Sequence, residues 1–294
     1  MTDEVIIEVV DNVYVRVVTE PGIKMELSDH FTFKVPGAEF MPSVRNKVWD
    51  GKVRLLNAMT GRIYRGLVPY ILKFCNSREY EVTVDEGIIP NNQVHDTAGF
   101  DLAKEFETAF VPREYQNDAV VHALKHERAL LLSPTASGKS FIIYLLTRFY
   151  IETLDMKVLI VVPTTSLVEQ MASDFIEYNG GQELDIHKIR GGIDKNIEAD
   201  ITISTWQSIY KLRKDWFAKF GVVIGDEAHL FKAKSVSSVL EKMPECQYRY
   251  GFTGTLDGTQ THRLVLEGLF GSVFEVTRTK DLIDDNTLAE FDIK

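Results

Sequence analysis

Cysteine is scarce in this sequence, and a long apolar run is missing from it altogether. Only Cys75 and Cys246 occur, far apart and without a partner Cys or His at metal-ligand spacing, which argues against a disulfide framework and a zinc site. The longest apolar stretches, 158–162 and 141–146, fall far short of the roughly 18 residues a membrane span requires. No signal-peptide pattern follows Met1. The expectation is a protein of a reducing cytoplasm with no membrane partner. An excess of positive charge is lacking too: 33 Lys and Arg face 43 Asp and Glu, a formal net charge of −10. Taken alone, that opposes nucleic-acid binding, because a phosphate polymer is repelled by an acidic surface unless the basic groups are segregated.

They are segregated. Between Met41 and Arg78 lie Arg45, Lys47, Lys52, Arg54, Arg62, Arg65, Lys73 and Arg78 against the single acid Asp50. With 294 residues, 45% hydrophobic and 26% charged, the chain has room for two globular units. Residues 5–18 run in short β-branched alternations, and 62–74 and 80–84 repeat that character around Gly and Asn turn signals, the pattern of a small mixed α+β unit. Residues 87–99 collect Pro, Gly and Asn without periodicity, as a linker or exposed connection does. Beyond them, short apolar runs at 129–132, 157–162, 200–204, 221–224 and 248–252 alternate with helical stretches. That is the signature of βαβ units and a parallel sheet covered on both faces, in which ligands sit at the carboxyl ends of the strands. The expected division is a small basic α+β nucleic-acid-binding domain over 1–95 and an α/β domain over 96–294.

Ser133-Pro-Thr-Ala-Ser-Gly138-Lys139-Ser140 follows the first of these strands and opens the helix 141–150, the strand, loop, helix context a phosphate loop needs. The backbone N–H groups of Thr135, Ala136, Ser137 and Gly138 and the helix N-terminus would face the phosphates of ATP. Lys139 would add a mobile point charge, and Ser140 a hydroxyl for Mg²⁺. A second strand ends in Gly225-Asp226-Glu227-Ala228-His229. In phosphoryl transfer the first of two such acids, Asp226, orients Mg²⁺ and the second, Glu227, positions the attacking water or takes its proton. Alone, the pair would read as solvated acids at a strand end; following a phosphate loop, it reads as catalytic.

The phosphate loop, Asp226-Glu-Ala-His229 and Thr253-Gly254-Thr255 resemble motifs I, II and III of superfamily 2 helicases in order and spacing. Arg113-Glu-Tyr-Gln116 resembles the adenine-reading Q motif, Val162-Pro-Thr-Thr-Ser-Leu-Val-Glu-Gln170 motif Ia, and Ser204-Thr-Trp-Gln-Ser208 motif Ib. The resemblance implies a RecA-like fold. It also implies that Arg113 and Gln116 contact adenine, that Lys139, Asp226 and Glu227 carry hydrolysis, and that His229, Thr253, Gly254 and Thr255 couple nucleotide state to DNA. Thr164, Thr165, Thr205 and Gln207 would touch the nucleic-acid backbone; singly, such residues are equally helix caps and turns after strands. Ala136 stands where relatives usually have Gly and Ser140 where Thr is commoner, which leaves the loop conformation at Ala136 open, since Ala resists a positive φ.

Within the basic stretch, cationic and aromatic residues alternate. Lys47, Lys52, Arg54, Arg62 and Arg65 could neutralise phosphates while Trp49 or Tyr64 stacks on an exposed base. The alternative is a basic solvated face with Trp49 in the core. This stretch, and the run from Glu267 through Val276 to 282–291, resemble the corresponding parts of phage recombination-repair helicases. Their resemblance implies a monomer in the host cytoplasm that remodels branched DNA, by fork regression and junction migration, and that also acts on RNA paired to DNA. The sequence ends at Lys294, ahead of any second RecA-like domain with its arginine finger, so the expectation for this chain alone is nucleotide binding with little turnover. The motor motifs do not choose the polymer. An RNA helicase, a restriction-type translocase and a nucleotide-switched DNA-binding module therefore stay open.

Overall fold

The computed structural model describes residues 4–90, 92–191, 195–196, 198–230, 233–256, 259–278 and 281–282, without the side chains of 233–236. The segment 283–291, part of the resemblance above, lies outside the described residues.

Strands β1 (Glu4–Val9) and β2 (Tyr14–Thr19) pair antiparallel, and their alternation places Val5, Ile7, Val15 and Val17 on one fully buried face. Helix α1 (Pro21–His30) leads to an antiparallel ribbon of β3 (Thr32–Lys34) and β4 (Lys52–Arg54), with the short α2 (Pro42–Arg45) between them. Then follow β5 (Arg62–Tyr64), α3 (Val68–Ser77) and β6 (Glu81–Val84). The four-stranded sheet has the order β5-β2-β1-β6, with β6 parallel to β1. The β-branched character read over 62–74 is corrected here. Pro69 in the first turn starts a helix, and Val68, Ile71, Phe74 and Cys75 are buried at helical spacing.

Helices α4 (Ala98–Glu105) and α5 (Glu114–His126) precede β7 (Arg128–Leu132), α6 (Lys139–Leu154), β8 (Lys157–Val162), α7 (Thr165–Tyr178), β9 (Ile186–Ile189) and β10 (Ile201–Thr205). The short α8 (Trp206–Ile209) and α9 (Lys214–Phe217) lead to β11 (Phe220–Gly225), α10 (Ala233–Leu240), β12 (Tyr248–Thr253), α11 (Gln260–Phe270) and β13 (Val273–Glu275). Every neighbouring pair in the sheet β13-β7-β12-β11-β8-β10-β9 is parallel, a RecA-like arrangement. The five apolar runs read from the sequence became its five inner strands. The two edges escaped notice because β9 alternates Ile with His and Lys and β13 is three residues long.

The two sheets share one seam. The backbone at Gly66, just after β5, lies so close to α11 that a Cβ there would come within 2.1 Å of the Glu267 carbonyl oxygen, and a Cβ on Gly268 would come within 2.8 Å of Tyr64. Around this seam the Tyr64 hydroxyl donates to Glu241 (2.6 Å), the Tyr70 hydroxyl to Glu267 (2.7 Å), and Asn12 donates through both its nitrogens to the Pro244 carbonyl. The stretch expected to be an exposed connection is partly packed: Ile88 is buried and the Gly87 carbonyl accepts from Arg65. Among the described residues no helix is long and apolar enough to cross a membrane.

Candidate active site

Strands β7, β11 and β12 lie side by side, so the loops leaving their carboxyl ends meet at one place. Leaving β7, the loop folds on itself through Ser133 and Ser137, whose hydroxyls lie 2.6 Å apart, while Ser137 donates to the Pro134 carbonyl. Gly138 turns into α6 with φ 75°, and no side chain caps that helix, so its first N–H groups and the positive end of its dipole are left for an anion. Ala136 settles the question its Cβ raised: it adopts φ 67°, the left-handed conformation, at a cost of about 1 kcal/mol relative to glycine. Thr135 and Ala136 are exposed at the loop's tip.

Gln116 comes to this loop from the first turn of α5. Its Nε2 donates to the Ser137 carbonyl (3.0 Å) and its Oε1 accepts from the Arg113 backbone N–H (2.9 Å). Tyr115, which the sequence did not single out, donates to the same Ser137 carbonyl (3.2 Å) and accepts from the exposed Arg113 guanidinium (3.1 Å). Both ends of the Gln116 amide are thus engaged with protein backbone, and what it braces directly is the phosphate loop.

Leaving β11, Asp226 is buried and its Oδ1 accepts the Glu227 N–H (2.9 Å). Burial pushes its carboxyl up to about 6; Lys139 opposes that shift, and Glu227 adds to it. Glu227 has φ 51°, and its carboxylate pairs with the Lys139 ammonium. Its other oxygen lies 3.4 Å from His229 Nδ1, which is 2.8 Å from the Thr253 hydroxyl at the end of β12. Thr253 donates its single hydrogen to the Thr255 carbonyl (2.7 Å), so its oxygen must accept, and His229 carries its proton on Nδ1. Lys139, Glu227, His229, Thr253 and Thr255 therefore form one polar path across three strand ends. Gly254 lies within that path, and a Cβ built on it would stand 4.0 Å from both Lys139 Nζ and the Thr135 nitrogen. An ammonium, a buried carboxylate, a hydroxyl and an uncapped helix end suit a metal-bound triphosphate.

That hydroxyl, on Ser140, is met by a residue the sequence reading missed. It lies 2.7 Å from the Tyr178 hydroxyl on α7, with Asp174 one turn earlier on the same helix. Burial raises the Asp174 carboxyl. No local pattern marks either residue, since both stand well along the chain from Ser140.

The residues proposed to touch nucleic acid divide. Lys47, Lys52, Arg54 and Arg62 are exposed on or near the β3–β4 ribbon; Arg54 pairs with Asp50 (2.5 Å), and Arg62 lies 4.2 Å over the Tyr14 ring. Trp49 is half-buried on the ribbon rather than in the core, its Nε1 donating to the Lys52 carbonyl (3.0 Å). Arg65 is a correction. It turns inward, 8% exposed, and donates to Asn12 (3.0 Å) and the Gly87 carbonyl, which leaves its guanidinium no solvent face for a phosphate. Tyr64, stacked on Tyr14 and bonded to Glu241, is likewise committed to the seam. Thr205 is a second correction: it is 4% exposed and paired with Ser208 (2.9 Å). Thr164 caps α7 by accepting from the Leu167 N–H (3.4 Å), Thr165 is exposed beside it, and the exposed Gln207 reaches the Pro163 carbonyl (3.4 Å).

The crystal structure of the UvsW helicase from bacteriophage T4 matches this one with a TM-score of 0.83 at 34% identity, over 92% of this chain and 99% of that one. The chain belongs to the UvsW family of superfamily 2 helicases. The family described as DNA helicase UvsW, N-terminal, matches residues 4–85, and that described as Type III restriction enzyme, res subunit, matches residues 109–258. The ATP-dependent DNA helicase UvsW of Enterobacteria phage T4 is 35% identical over 289 residues, 95% of this chain and 57% of that protein. The DNA 3'-5' translocase XPB2 of Sulfurisphaera tokodaii is 28% identical over 210 residues, 70% of this chain and 41% of that protein. This chain thus spans a little over half the length of its T4 UvsW relative. Nucleotide use comes with the family it belongs to.

Proposed function

We propose that the whole protein is an ATP-dependent DNA helicase or translocase of the host cytoplasm that remodels branched DNA, regressing forks and migrating junctions, with RNA paired to DNA among its substrates. In this reading 1–95 is a small basic DNA-contacting domain and 96–294 the first RecA-like motor domain, a division that the separate family matches over 4–85 and 109–258 support. The observation that carries the reading is the polar path from Lys139 through Glu227 and His229 to Thr253 and Thr255. It joins the group that would hold a phosphate to the group that would feel its loss.

With ATP present, the phosphates compete with Glu227 for Lys139 and take the free N–H groups at the start of α6. Asp226 and Ser140 would hold Mg²⁺, which neutralises developing charge on the phosphates. Glu227, released from Lys139, orients water, and the change reaches Thr253 through His229. Thr164, Thr165 and Gln207 at the ends of β8 and β10, with Lys47, Lys52 and Arg54 on or beside the β3–β4 ribbon and Arg62 on β5, follow the DNA backbone without reading sequence. In the complete protein, Glu227→Gln is expected to retain Mg·ATP and stop turnover, as seen by equilibrium binding beside phosphate release. Loss of nucleotide binding as deep as that of Lys139→Ala would undo the role assigned to Glu227.

A further inference from the structure

We propose that Tyr14 and Tyr64 are positioning residues for Arg62, which they hold ready to take one backbone phosphate of DNA at a cavity shared by the appended sheet and the motor domain. The inference rests on the DNA-binding reading above and gives a role to two tyrosines that do not themselves touch the nucleic acid. The alternation of β2 and β5 turns Tyr14, Arg16, Arg62 and Tyr64 to one face of the sheet, opposite the buried Val15 and Ile63. On that face the Arg62 guanidinium lies 4.2 Å over the Tyr14 ring, and the Tyr14 ring is stacked on Tyr64, with 5.3 Å between centres and 20° between planes. The Tyr64 hydroxyl donates to Glu241 (2.6 Å), just past α10. One line of contacts therefore runs from the motor domain through two rings to an arginine.

The charge of Arg62 is not neutralised within the protein. It stands directly opposite Arg16 on β2, a pairing of like charges that costs stability until an anion relieves it. Arg16 has Glu8 at 3.8 Å, whereas among the described residues Arg62 has no such partner. The cavity beside Arg62, about 460 Å³, is lined from the sheet and ribbon by Tyr14, Arg54, Asn57 and Thr60 and from the other side by Ser237. Among the described residues no carboxylate lines it, in a chain whose net charge is −10. Asn57 gives its Oδ1 to the N–H groups of Met59 and Thr60 (3.0 Å each), which leaves its amide hydrogens for a ligand. Guanidinium, amide and hydroxyl donors without an acid suit a phosphodiester. An exposed arginine loses rotamer freedom when it binds. One already laid on a ring loses less, so the rings lower the cost of the contact without making it.

The test separates the charge of Arg62 from its placement. Labelled forked DNA is titrated with the 294-residue chain over a series of salt concentrations, and unfolding midpoints are measured beside it. Arg62→Ala removes the contact and is expected to flatten the salt slope by roughly 0.9. Tyr14→Leu keeps apolar bulk and removes the ring face, while Arg62→Lys keeps the charge and removes the planar group. Each is expected to weaken binding about two- to fivefold at every salt concentration, the scale of one cation–π contact, and to leave the slope unchanged. Tyr14→Phe keeps the ring and should bind as the wild type does. In an Arg62→Ala background, Tyr14→Leu should add nothing further, because the group it positions is gone. Tyr14→Phe as weak as Tyr14→Leu, wild-type affinity in Arg62→Lys, or a full additional loss in the Arg62→Ala background each overturns the proposal. Arg62→Lys changes only a surface side chain, so it decides the matter even where Tyr14→Leu lowers the midpoint. A wild-type chain that does not bind the fork overturns the proposal too, and with it the DNA-binding reading.

Discussion

Asp226 is a carboxylate that the fold keeps at a cost. Burial raises its carboxyl from 3.8 to about 6, so the folded state binds a proton more tightly than the unfolded chain does. The stability tied to that proton is fully present below about pH 4 and is lost as pH rises through about 6. Asp226→Asn, measured without nucleotide by denaturant unfolding, is therefore expected to match the wild type at pH 4 and exceed it by roughly 2 to 3 kcal/mol at pH 7.5. A variant less stable than wild type at pH 7.5 would contradict this. The ionised form is the one a divalent cation needs, so the site holds its charge against the preference of its surroundings. Ala136 stores a second, smaller strain. Ala136→Gly should raise the unfolding midpoint slightly, while Ala136→Val, β-branched in a left-handed conformation, should cost about 1 to 2 kcal/mol and weaken nucleotide binding. Equal midpoints for the three proteins would mean that the loop is not held at this φ in solution. The phosphate loop and the acidic motif were legible in the sequence because each is contiguous: strand, turn and helix follow one another within a dozen residues. Tyr178, Asp174 and the inward turn of Arg65 were not, because each depends on which surface a distant segment covers.

At the scale of the element, the β3–β4 ribbon and strand β5 carry the charges that oppose the acidic whole. They are not equivalent. Lys52 and Arg62 have no carboxylate within ion-pair distance among the described residues, whereas Arg54 is bound to Asp50, whose carboxyl it holds down at about 2. In binding of forked DNA titrated against salt, Lys52→Glu and Arg62→Glu are each expected to flatten the slope by roughly 0.9 for every phosphate no longer neutralised, and Arg54→Glu by less. Slopes unchanged in all three would return the ribbon to a solvated face. Inner strands were readable for a related reason. A strand covered on both faces is apolar nearly throughout, and 129–132 and 158–162 declare that without help from their neighbours. Edge strands β9 and β13 have one side uncovered and so lose the signal. Helix α3 hides among strands because Ile, Leu and Val suit either structure, and the deciding signal is Pro69 at its start.

For the whole molecule, the seam on α11 decides whether two sheets behave as one body. Gly66→Ala pushes a methyl group into the Glu267 carbonyl and must part the seam or bend α11. Its expected cost is about 2 to 5 kcal/mol, with faster amide exchange in α11 and β5 while the inner strands β8 and β11 stay protected. Uniform exchange throughout would show that the two sheets unfold together and that the seam is not the weak plane. The seam also shows where composition misleads, since residues 87–90 carry the Pro and Gly of a tether yet seat Ile88 in the core and give the Gly87 carbonyl to Arg65. A tether would let the basic sheet swing and search. Glycine pressed against backbone does not, so the sheet and the phosphate loop keep a constant separation, like two marks on one ruler. On the function proposed above, DNA held by that sheet would lie at a fixed distance from the phosphate loop.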